Sequence, residues 1–116
     1  MEKYRVVFHL DEGGKAKGEL VFKNIENLIA DLGEGNVEVE LVANAEGITS
    51  LLRSPNLHGE LVQRLVAKGV RFVACANALR QMGLEKKELL DPVEIVSAGV
   101  AELVKRQAQG WAYVRP

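Results

Sequence analysis

The sequence predicts an α/β fold of three layers, helix, sheet and helix, around a mostly parallel five-stranded sheet. Two observations lead there. Short β-branched runs alternate with helical patterns from one end of the chain to the other, the arrangement that gives a parallel sheet covered on both faces. Hydrophobic residues make up 47% of the 116 positions but aromatics only 5%. The core must then be built from Val, Leu, Ile and Ala, as in strands buried on both faces. The length suits one domain, and no linker, repeat or low-complexity stretch divides it, so residues 1–116 are read as one unit.

The first strand is Tyr4-Arg5-Val6-Val7-Phe8-His9-Leu10, followed by the polar loop Asp11-Glu12-Gly13-Gly14-Lys15. Val21, Ile25, Leu28, Ile29 and Leu32 then recur at helical spacing, predicting a helix from about Ala16 to Leu32 that ends at Gly33-Glu34-Gly35-Asn36. Val37 to Val42 is the second strand. A short helix is expected from Ile48 to Arg53, stopped near Pro55, and a longer one from Leu57 to Lys68 with Leu61, Leu65 and Val66 on one face. Gly69 precedes the third strand, Val70 to Cys75. Helical turns follow from Ala78 to Met82 and from Glu85 to Leu90. Val93 to Val96 is the fourth strand and Ala98 to Gln109 the last helix. Gly110 leads into a short fifth strand, Trp111 to Val114.

Composition bounds the function. A net charge of −1 gives no field that would gather nucleic acid or an acidic membrane. No apolar run approaches the roughly 20 residues of a membrane helix. The start, Met1-Glu2-Lys3-Tyr4-Arg5, runs straight into a strand and lacks the apolar core of a signal peptide. A single cysteine makes no internal disulfide and fits a reducing compartment. The expected location is the cytoplasm.

That cysteine, Cys75, is the leading candidate for chemistry. It stands at the carboxyl end of a strand, where open α/β sheets bind ligands, and just before a helix whose backbone N–H groups favour a thiolate. Arg80 is the nearest cation by sequence. The competing reading is a small apolar residue filling the end of a buried strand, common for a free cysteine. His9, Asp11 and Glu12 end the first strand, Asn44 and Glu46 the second, and Ser97 the fourth. In a parallel sheet these share one edge with Cys75. A pocket edge formed by His9, Asn44, Asn77 and Ser97 is the corresponding binding expectation. His9 alone reads more readily as a structural histidine with its hydrogen bonds made, and His58 as the solvated start of a helix. Trp111 and Tyr113 fall on one face of their strand, either covering the core or anchoring a subunit interface. Two histidines 49 positions apart and one cysteine offer no metal spacing. Gly33-Glu34-Gly35 precedes a strand instead of opening a helix, so it is not a dinucleotide loop. Ser50, Ser54 and Ser97 lack the glycine-flanked elbow of a hydrolase.

The order of elements, the segment Gly69-Val70-Arg71-Phe72-Val73-Ala74-Cys75-Ala76-Asn77, the tail Arg106-Gln107-Ala108-Gln109-Gly110-Trp111-Ala112-Tyr113-Val114-Arg115-Pro116 and the early Asn24-Ile25-Glu26-Asn27-Leu28 resemble the DsrE/DsrF-like family over nearly the whole chain. The resemblance implies a three-layer α/β/α fold and a homo-oligomer, often a trimer or hexamer. It also implies that Cys75 stands where sulfur-relay members carry persulfide, passing it between donor and acceptor proteins without a metal or organic cofactor. A non-catalytic oligomer that binds a small ligand, or a structural subunit, are the other roles it allows. Some relatives have a His-Gly pair after the second strand. Here that place reads Asn44-Ala45-Glu46-Gly47, and no histidine role is carried over.

Overall fold

Helical and extended segments alternate along the chain as the hydrophobic pattern requires. The computed structural model describes residues 3–116. Met1 and Glu2, which the sequence reading sets ahead of the first strand, lie outside them. Strand β1 (Tyr4–Leu10) leads into helix α1 (Lys15–Leu32), which turns Val21, Phe22, Ile25 and Ile29 toward the sheet. Strand β2 (Val37–Ala43) is followed by a 3-10 segment, Ala45–Leu51, and by helix α2 (Gly59–Ala67), which buries Leu61, Val62 and Leu65. Strand β3 (Arg71–Cys75) runs without a break into helix α3 (Ala76–Met82). A 3-10 turn, Lys86–Glu88, precedes strand β4 (Glu94–Val96), and helix α4 (Gly99–Ala108) precedes strand β5 (Ala112–Val114).

The short helix expected over Ile48 to Arg53 is instead a 3-10 segment that begins three residues earlier. Its path explains the shift. Ala45 takes φ 48°, turning the chain sharply after β2. Gly47 then crosses the end of β1 so closely that a β-carbon there would stand 1.9 Å from the Leu10 carbonyl oxygen. Only glycine fits.

The sheet order is β4-β3-β2-β1-β5, and every pairing is parallel. The chain lays down β1 to β4 in one direction, with α1, α2 and α3 all on one face. It then returns to the far edge to form β5. A right-handed crossover travelling the other way must pass on the other face, and α4 lies there alone. The two sides are unequal as a result. The larger core joins Val6, Phe8, Leu10, Leu41 and Phe72 to α1, α2 and α3. The smaller joins Val7, Val42 and Val73 to Leu103 of α4, with Val96 and Trp111 at its margin. Among the described residues no helix is long and apolar enough to cross a membrane.

Candidate functional site at the carboxyl edge of β3

Topology singles out one place on the carboxyl edge. β3 and β4 are neighbours, with Cys75 paired to Val96. The chain leaving β3 enters α3 on the larger face, whereas the chain leaving β4 enters α4 on the smaller one. Adjacent strands whose exits diverge in this way open a crevice between them, where open α/β sheets bind ligands. Cys75 is the last residue of β3, at that divergence.

Its surroundings come from three elements. The register pairs Ala43 with Ala74, so Asn44 is the next residue along β2 beside Cys75. Gly99, the first residue of α4, packs onto both. A β-carbon built there would lie 3.2 Å from the Cys75 β-carbon and 3.3 Å from that of Asn44. One strand further, His9 Nε2 lies 2.9 Å from Asn44 Oδ1 and His9 Nδ1 lies 2.6 Å from Tyr113 Oη. The neutral tautomer that donates from Nε2 to Asn44 accepts at Nδ1 from the Tyr113 hydroxyl. Both ring nitrogens are thereby engaged by neighbouring side chains. Cys75 and His9 form no nucleophile–base pair of the kind thiol hydrolases use.

The residues expected at this edge do not all converge. His9 and Asn44 are hydrogen-bonded together, and Asn44 adjoins Cys75. Asn77 is exposed on α3, and its Oδ1 accepts from the Arg80 guanidinium. Ser97 is exposed in the bend between β4 and α4. Asp11 and Glu12 hold Arg115 of the C-terminal tail, at 3.2 and 3.4 Å. Cys75 itself is only 7% exposed. α3 spans only seven residues, two turns of backbone. His58 is a second correction. It does precede α2, but it is 6% exposed, not solvated, because α1 lies across it. Tyr113 and Gly99 are the site residues that sequence reasoning missed. The pairing of Trp111 and Tyr113 on one face was legible, but the partner of that face depends on β5 lying beside β1.

Behind the site, α4 is pinned to the sheet by charge. Glu40 is 1% exposed, on the α4 face of β2. Arg71 Nη1 donates to its Oε2 at 2.5 Å and Arg106 Nε to its Oε1 at 3.0 Å. The same two guanidiniums reach Glu102, at 3.4 and 3.2 Å, and Arg71 continues to Glu94 at 3.1 Å. Burial pushes the Glu40 carboxyl up, and the Arg106 hydrogen bond draws it back. Arg106 also stacks over Trp111, 4.7 Å from the ring centroid. No group of three metal-ligating side chains gathers among the described residues.

Comparison with known proteins supplies the context. A protein of unknown function from Methanobacterium thermoautotrophicum has a similar structure, with a TM-score of 0.92 and 44% identity over 98% of this chain and 100% of that one. The ychN protein from E. coli shares the fold, with a TM-score of 0.77 and 20% identity over the full length of both chains. No curated protein matches the sequence. The DsrE/DsrF-like family profile matches residues 4–116. With the parallel sheet, the lone α4 on the second face and Cys75 at the divergence of β3 and β4, the chain belongs to the DsrE/DsrF-like family.

Proposed function

We propose that the protein carries sulfur as a persulfide on Cys75 and passes it between protein partners. The observation that carries this reading is the position of Cys75 in a DsrE/DsrF-like chain, where the exits of two neighbouring strands diverge. In the loading step the Cys75 thiolate attacks the outer sulfur of a donor persulfide. The donor's S–S bond breaks, a new S–S bond forms on Cys75, and the donor leaves as a thiolate. Unloading repeats this with an acceptor thiolate as the attacking group. Electrons balance within each exchange, and neither step calls for a metal or an organic cofactor. The partners are a donor and an acceptor protein, and the working unit is a homo-oligomer, a trimer or hexamer, in the cytoplasm.

The test is mass spectrometry after incubation with a cysteine desulfurase and free cysteine. The expected product is a one-sulfur mass increase confined to the peptide bearing Cys75 and absent from Cys75→Ser. An unmodified protein under conditions that load a control carrier would remove the relay reading.

A second reading, an oligomer that binds a small ligand without chemistry, draws on a different surface. An open groove of about 730 Å³ lies between α1 and β5, lined by Tyr4, Val6, Phe8, Leu28, Leu32 and Val114. Its volume is in the range of small-molecule sites, and Cys75 does not line it.

A further inference from the structure

A thiol that exchanges sulfur must be touched by a second thiol, yet Cys75 is 7% exposed. The structure shows what stands in the way. β2 and β4 flank Cys75 within the sheet. On the larger face the chain continues into α3, whose Ala78 and Leu79 belong to the main core. Cys75 itself packs with that core, and on the other face Gly99, in the first turn of α4, lies against the Cys75 β-carbon.

α4 buries two residues, Gly99 and Leu103. Its ionic ties start at Glu102, the last residue of the first turn, and its aromatic contact is made by Arg106, so none of them involves Gly99, Val100 or Ala101. Val100 is 62% exposed and contributes nothing to the cover. Upstream, Ser97 is an exposed bend and β4 pairs over only three residues. Segments with few buried contacts open locally at far lower cost than the fold as a whole.

We propose that the first turn of α4 is a lid over Cys75. Residues from Ser97 to Ala101 unwind and lift Gly99 from the thiol, while Leu103 and the Glu40–Arg71–Arg106 cluster keep the rest of the helix seated. The inference rests on Cys75 being the group that reacts, but its test uses no sulfur donor. Failure to load persulfide and failure of the lid are therefore separate results.

The experiment is the rate of Cys75 alkylation in the native protein, at urea concentrations well below unfolding, in two matched pairs. Val100→Ala and Val100→Gly change helix propensity at an exposed site in the lid. Wild type and Ala30→Gly make the same Ala–Gly contrast at an exposed site in α1. The lid predicts slow alkylation with little urea dependence. Val100→Gly should react about fivefold faster than Val100→Ala, and Ala30→Gly should react at the wild-type rate. Equal acceleration by both glycines, with urea dependence as steep as global unfolding, would mean that only the unfolded chain reacts and would overturn the lid. A wild-type rate matching that of free cysteine, or a slow rate that neither pair alters, would overturn it as well.

Discussion

His58 shows what a single residue cannot reveal from its neighbours. Asn56, Gly59 and Glu60 surround it with polar sequence, and the Asn56 side chain accepts from the Gly59 N–H at 2.8 Å, as at the start of an exposed helix. The burial comes from α1. Gly18 passes so close that a β-carbon there would stand 2.5 Å from Ser50 Oγ and 2.7 Å from His58 Nε2. Phe22 meets the imidazole edge to face, 5.1 Å between centroids. Burial pushes the His58 pKa below its ordinary value of 6.5; Glu19 opposes this and Lys15 adds to it. The unfolded chain therefore binds more protons here than the folded one, and stability falls as pH drops below about 6.5 toward the depressed value. Replacing His58 with Gln removes that loss. Thermal unfolding of wild type and His58→Gln from pH 8 to pH 5 should show wild type losing stability relative to the variant below about pH 6.5. A difference independent of pH would contradict this account.

At the scale of elements, α4 depends on charge to an extent that its sequence conceals. Val37-Glu38-Val39-Glu40 reads as an alternating strand with both glutamates on its wet side. Both do share a face, but α4 covers only part of it. Glu38 stays exposed, bonded to Arg5 at 3.1 Å, while Glu40 is fully enclosed. Which of two equivalent positions is buried depends on where a helix 60 residues later comes to lie, and no local pattern carries that. Helix and strand identities were legible because periodicity is local, and α1 and α4 begin and end within a residue or two of expectation. The 3-10 segment was not, because its start is set by the contact of Gly47 with β1. Glu40→Ala leaves Arg71 and Arg106 without their shared carboxylate. Both are partly exposed and keep Glu102, so the loss should fall near or below the lower end for a broken buried pair, about 2–3 kcal/mol by urea unfolding. A cost below ~0.5 kcal/mol would show that the cluster does not hold α4 down.

For the molecule as a whole, the fold class followed from alternation and composition, but strand order did not, and the candidate site depends on that order. Only when β4 lies beside β3 does Cys75 stand between strands whose exits diverge, and only when β5 lies beside β1 does His9 meet Tyr113. Tyr4, Val104, Tyr113 and Val114 are exposed apolar side chains. The proposed homo-oligomer would cover some of them. Light scattering at micromolar concentration should give a mass three or six times 12.7 kDa, and a monomer of 12.7 kDa would refute it. The pairing of β5 with β1 also has a consequence in time. His9 and Tyr113 are 104 positions apart. A ribosome delivers β1 long before β5, so until β5 is made the growing chain holds β1 as an open edge, liable to pair with other chains. The hydrogen bond between His9 and Tyr113 must wait for β5, and the β1 edge stays unfinished until that strand has been made.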